Sequence, residues 1–274
     1  MSNTFAIKEV MDFTVEKYSA TGRGEMLFYV DYAGSTSIQT TAERLNIRGG
    51  QGNFKILDID HTKDTMFNST LPIVDVKALA TKLGVDVTTG ATTATKTEIL
   101  TVGVAPTLTL ASTPLANTLK IHKLLLERDL GDEQTAGTPS TPNEYSIADK
   151  VVTLNENTAA DGTKFLVSYE YTSGVNAQNI KITASDFPNF ITIRGTGLVD
   201  DDQEGQKIPV SFKIHKAKVQ QEFELTMEGT SATELAFNCD CYTILNSAGD
   251  REYTNVVILQ DEAYWCIDNK LNKG

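Results

Sequence analysis

Apolar and polar residues alternate with a period of two along much of the chain, most clearly between residues 208 and 245. Ile208, Val210, Phe212 and Ile214 are separated by Pro209, Ser211, Lys213 and His215. Phe223, Leu225 and Met227 alternate with Glu222, Glu224 and Thr226, and Leu235, Phe237 and Cys239 repeat the spacing. Successive side chains of a strand point to opposite faces, so this pattern predicts a sheet with one apolar and one polar face. Such a stretch specifies a surface that pairs and packs, and it carries no catalytic constellation.

The same period predicts strands over 13–18, 25–32, 36–41, 65–71, 179–184, 190–198 and 255–261, with glycine and serine marking turns at Gly22, Gly24, Gly34 and Ser35. Residues 1–10 read as a flexible arm. Residues 44–62 read as an extended excursion. Within it Gly49, Gly50 and Gly52 are flanked by Arg48 and Lys55, and Phe54 follows. These glycines lack the spacing of a phosphate-binding loop and the Lys-Ser/Thr that follows one. The expectation is a flexible loop or hairpin turn that touches a neighbour. Helical spacing occurs with confidence at one place, 74–84. Asp75 is the expected N-cap, Gly84 the stop, and Val76, Leu79, Ala80 and Leu83 the stripe that packs on the sheet.

A Thr-rich run at 88–97 reads as a linker or an exposed strand edge. Beyond it, short strand candidates at 108–114, 119–127, 144–149, 150–156 and 164–174 predict a small antiparallel sandwich. The polar segment 129–144, with Gly137, Pro139 and Pro142, is expected to be a mobile loop. The chain thus divides into a discontinuous β core, 1–98 and 175–274, and an inserted β domain at 99–174.

Formal net charge is −12 over 274 residues. An acidic chain does not grip nucleic acid, because neutralising phosphates takes Lys and Arg. It suits a wall past which DNA slides. Cys239, Cys241 and Cys266 make an odd count without zinc spacing, and the first two should share a strand face opposite Asp240. Asp200, Asp201, Asp202 and Glu204 lack the oxygen spacing of a calcium loop. None of His61, His122 and His215 sits in a known catalytic spacing, so no catalytic residue, metal or cofactor is expected, and the chain reads as a non-enzyme. No signal peptide and no membrane span is expected, which points to assembly in a cytoplasm. Trp265 should anchor the C-terminal end.

Three segments resemble the major tail tube proteins of long-tailed phages. They are the strand leading through Thr70-Leu71-Pro72 into the helix, the stretch FPNFITIRGTGLV at 187–199 with its acidic turn, and the hairpin IPVSFKIHKAKVQQEFELTMEG followed by LAFNCDCYTIL. The resemblance implies a mainly β tail-tube fold: two packed antiparallel sheets flanked by one short helix, with an inserted small Ig-like β-sandwich on the outside of the tube. It also implies subunits joined into rings, usually of six, that stack into a channel for DNA ejection. Six copies at −12 each give a formal −72 per ring.

On this reading Arg48, Gly49, Gly50, Gly52, Phe54 and Lys55 form the inter-ring stacking loop. Glu222, Glu224 and Glu234 are candidates for the lumen wall. Partners are further copies of the chain, the tail terminator, tape measure and baseplate or tip proteins, and phage DNA in transit. The place is the virion tail, with no membrane. The competing expectation is another virion component, such as a tail terminator or a capsid decoration protein.

Overall fold

The computed structural model describes residues 5–7, 11–126, 128–201, 207–222, 224 and 234–259. Strands take up 57% of the chain and helix 3%, so the protein is mainly β. In chain order the elements are β1 (Phe5–Ile7), β2 (Asp12–Lys17), β3 (Met26–Val30), β4 (Ser35–Gly49), β5 (Phe54–Leu71), α1 (Val76–Leu83), β6 (Thr88–Thr89), β7 (Thr93–Thr101), β8 (Thr107–Thr109), β9 (Lys120–Leu124) and β10 (Leu130–Ala136). There follow β11 (Glu144–Ala148), β12 (Val151–Leu154), β13 (Lys164–Thr172), β14 (Gln178–Asn179), β15 (Phe190–Asp201), β16 (Lys207–Val219), β17 (Leu235–Tyr242), β18 (Ile244–Leu245), β19 (Arg251–Glu252) and β20 (Thr254–Ile258). The chain forms two compact units, Met1–Val87 with Ile180–Gly274, and Thr88–Asn179.

The first unit is built on a nine-stranded sheet in the order β3-β2-β15-β16-β17-β5-β4, with β1 beside β15 and β20 beside β16. Laid flat, β2 and β5 would stand roughly 19 Å apart, four strand spacings of about 4.8 Å. Yet the Phe13 ring of β2 meets the Phe67 ring of β5 edge-on at 5.3 Å, and Phe28 of β3 meets Phe237 of β17 at 5.5 Å. The sheet therefore folds over itself into two layers, which share the core of Phe13, Val15, Phe67, Ile193, Phe212 and Phe237. The long strands make this possible by serving two neighbours on one edge. Along β16, residues 210–214 pair with β20, and 216–219 pair with β17. A register shift in the β15–β16 ladder between Ile191 and Ile193 accompanies a change of phase: Val210, Phe212 and Ile214 are buried, then Ala217 and Val219.

Helix α1 forms where expected. Asp75 Oδ1 accepts from the backbone N–H of Lys77 (2.7 Å) and Ala78 (2.9 Å). Gly84, in the left-handed region at φ 72°, closes the helix as Val85 N–H donates to Ala80 O. The buried face differs from the expected stripe: Ala78, Ala80 and Lys82 are buried, while Val76, Leu79 and Leu83 stand at its margin. Ala78 packs into the core of the first unit. The Lys82 stem also lies inward, where its ammonium donates to Ala236 O. The strand expected over 179–184 is also replaced: only Gln178–Asn179 pairs, with β6, and residues 180–189 run without a ladder.

The second unit is a seven-stranded sheet in the order β7-β13-β9-β10-β11-β12-β8. Its two halves share one core, in which Ile121, Phe165 and Val167 come from one half and Leu108, Val152 and Leu154 from the other. The Thr-rich run supplies an edge strand: β7 pairs with β13 from Thr93 to Thr101. The loop expected at 129–144 contains β10. That strand pairs antiparallel with β9 and, over two residues, parallel with β11, the one departure from antiparallel pairing among the described residues of the unit. Most of its side chains face water, so it has no apolar period to announce it. The unit opens and closes on one antiparallel pair, Thr88 beside Asn179.

Candidate functional site

The glycine-rich excursion is the tip of a hairpin made by β4 and β5. Within β5, residues 65–71 alternate buried and half-buried and pair with β17 on their other side, while residues 54–64 pair with β4 alone. That free part of the hairpin is a two-stranded ribbon roughly 35 Å long at 3.3 Å per residue. Of the two forms expected there, flexible loop or hairpin turn, the structure has the hairpin turn: the strands pair as far as Gly49 and Phe54, with register shifts at Thr62 and Ile56, and Gly50–Asn53 make the turn. Gly50 (φ 80°) and Gly52 (φ 98°) adopt backbone that other residues avoid, and Asn53 N–H donates to Gly50 O at 3.1 Å.

The ribbon is two-faced. Cross-strand pairing sets Leu45 opposite Ile59 and Ile47 opposite Leu57. Phe54 lies opposite Gly49, and Ile56, at a register shift, leans over the space where Gly49 lacks a side chain. These six apolar side chains are between 38% (Ile47) and 69% (Phe54) exposed. The other face is ionic. Arg44 Nε donates to Asp60 Oδ1 at 2.6 Å, its Nη1 lies 3.8 Å from Asp58 Oδ2, and Lys55 Nζ reaches Asp58 Oδ2 at 2.5 Å. The Arg44 hydrogen bond holds the Asp60 carboxyl below its usual range. A two-stranded ribbon is marginal in water by itself. This one combines self-neutralised charges on one face with an apolar face that nothing in the chain covers among the described residues.

Of the residues singled out from sequence, Gly49, Gly50, Gly52, Phe54, Arg48 and Lys55 all lie at this tip, with Arg48 directly opposite Lys55. Leu45, Ile47, Ile56, Leu57 and Ile59 complete the face and were not anticipated; the period-two alternation on both sides of the glycines was the available signal. Glu222, Glu224 and Glu234 are exposed, but they do not lie on one ladder. Glu234 immediately precedes β17 and shares the outward face of Ala236, Asn238 and Asp240. Glu222 and Glu224 are in no strand, and residues 223 and 225–233 of the strand expected there lie outside the described residues, as do Asp202–Glu204, Trp265 and Cys266.

Chemistry elsewhere is muted. Cys239 and Cys241 are free and buried with Asp240 turned outward, as the alternation predicted. Burial pushes the Cys239 thiol well up and that of Cys241 to about 11. Among the described residues no three of His, Cys, Asp and Glu gather as a metal site, and no helix is long and apolar enough to cross a membrane.

A model of the YomU/Tube protein family matches residues 5–257. No curated protein matches the chain.

Proposed function

Because the chain belongs to the YomU/Tube protein family, we propose that it is a structural subunit of a phage tail tube, closing with copies of itself into rings, six to a ring, that stack around a channel for DNA. The observation that carries this reading is the ribbon of β4 and β5. Burying what remains exposed of these apolar side chains gains up to about 1.5–3 kcal/mol each, and among the described residues nothing in the chain covers them. A second copy in the next ring is the occupant, and the contact is heterologous, so it repeats from ring to ring without closing. Within a ring, the edges of β3 and β4, unpaired among the described residues at the two ends of the nine-stranded sheet, are the edges that joining copies would remove.

The channel wall on this reading includes the outward face of β17, β5 and β4. There Asn238, Asn68 and Ser37 lie in one cross-strand row and Glu234 stands at the end of β17. Short uncharged polar side chains with acids among them give DNA phosphates no cation to hold. The second unit takes the place of an Ig-like outer domain. Tail terminator, tape measure and baseplate or tip proteins meet the ends of the tube, and the whole is assembled in the host cytoplasm.

Negative-stain electron microscopy of the purified chain at high concentration tests the proposal. Hollow tubes or stacked rings are expected, and a chain lacking residues 48–54 should fold yet leave its rings unstacked. Small monodisperse particles under every condition, including with a preformed tail tip as initiator, would remove it.

A further inference from the structure

On the outward face of β2, β15, β16 and β20 lies a cleft of about 450 Å³ lined by both cationic and hydroxyl side chains. Strand register places Thr14, Arg194, Lys213 and Asn255 in one row across the four strands, with Thr196 and Ser211 in the next. Arg194 and Lys213 are direct cross-strand partners. Side chains so paired stand about 4.5–5.5 Å apart at Cβ, and like charges there repel.

Only one of the two cations is answered. Glu16, 1% exposed, accepts from Arg194 Nε at 3.2 Å through one oxygen and from Arg23 through the other. Burial pushes the Glu16 carboxyl up, and the two arginines outweigh that and hold it below its usual range. The Arg194 guanidinium is thereby fixed by one edge. Asp12 is held at 3.2 Å by the Tyr29 hydroxyl at the cleft's side. Among the described residues no carboxylate pairs with Lys213, and the side chains of Thr196, Ser211 and Asn255 make no hydrogen bond. Three cations therefore meet two carboxylates in a chain of net charge −12, with idle neutral donors beside the unanswered ammonium.

We propose that this cleft binds an oxyanion between Arg194 and Lys213, with Ser211, Thr196 and Asn255 completing its hydrogen bonds. The anion relieves the repulsion of the paired cations and takes the idle donors. Its chemistry fits a free phosphate or a side-chain carboxylate of a second copy, and these two sources behave differently in solution. The inference stands apart from the tube reading, which turns on the ribbon.

Inorganic phosphate is the probe. Thermal unfolding of the full chain is followed as phosphate replaces chloride at constant ionic strength, with Lys213→Gln and, as a control outside the cleft, Lys216→Gln. A free-anion site raises the midpoint of the wild type and of Lys216→Gln, and Lys213→Gln needs about tenfold more phosphate for the same rise. A carboxylate of a second copy gives a different pattern. Sedimentation then shows wild-type self-association that millimolar phosphate reverses and that Lys213→Gln weakens by about tenfold. Equal responses of wild type and Lys213→Gln in both measurements overturn the site. A chain that assembles into tubes while ignoring phosphate, with or without Lys213, overturns this inference and leaves the tube reading standing.

Discussion

Lys82 shows at residue scale how a helical period can mislead. The sequence offers Val76, Leu79, Ala80 and Leu83 as the inward stripe; Ala80 is buried, but so are Ala78 and the stem of Lys82, while Leu79 and Leu83 are half-buried. Burial lowers the Lys82 pKa from the ordinary 10.5. The unfolded chain then holds this proton more readily than the folded one. Stability should rise with pH from the lowered value up to 10.5, and the full penalty is present below that window. Lys82→Met should raise the unfolding free energy near neutral pH by on the order of 1 kcal/mol and flatten that alkaline rise. Urea titrations from pH 7 to 10.5 check both, and a variant less stable at pH 7 would refute the account. The cysteine pair was easier to read, because simple alternation fixes which of three consecutive side chains turns inward.

The strands legible at element scale are those whose side chains are sorted by a core. β2, β15 and β16 declare themselves through Phe13 and Val15, Ile191 and Ile193, and Phe212 and Ile214. β10 does not, because it is held by backbone pairing while water takes its side chains. Residues 180–184 err the other way, alternating in sequence without a partner strand to pair with. The ribbon is the instructive case. Its glycines drew attention to the tip, and they concealed that Leu45, Ile47, Leu57 and Ile59 continue the strand alternation outward. Since no core depends on the tip, Phe54→Asp with Ile56→Asp should leave the thermal midpoint unchanged to within about 0.5 kcal/mol of stability. The same pair should abolish assembly, as read by electron microscopy and sedimentation. A double variant that assembles normally would show that the apolar face has no occupant.

The two units are separable on the scale of the whole molecule, because the inserted one begins and ends on a single antiparallel pair, Thr88 and Asn179. Replacing residues 88–179 with a short glycine-serine link should give a folded first unit with its assembly intact. Circular dichroism and electron microscopy measure this, and an insoluble product would contradict it. Short strands in sequence led to an expected inserted domain at 99–174, while the compact unit runs from Thr88 to Asn179, because the Thr-rich run pairs as its edge strand. The folding over of the nine-stranded sheet was not visible in sequence, because it depends on which distant strands pair. That discontinuity also sets a timetable during synthesis. β2 leaves the ribosome about 170 residues before its partner β15, a wait of roughly 10–30 s at about 5–20 residues per second. The second unit, contiguous in the chain, completes itself in the meantime. Phe13 and Val15 spend that interval without Ile193 and Phe212 of their core, and Phe28 without Phe237, alongside the bare ribbon. In a cell that makes many copies at once, the nascent first half is thus the species most exposed to premature association and the one most in need of a chaperone.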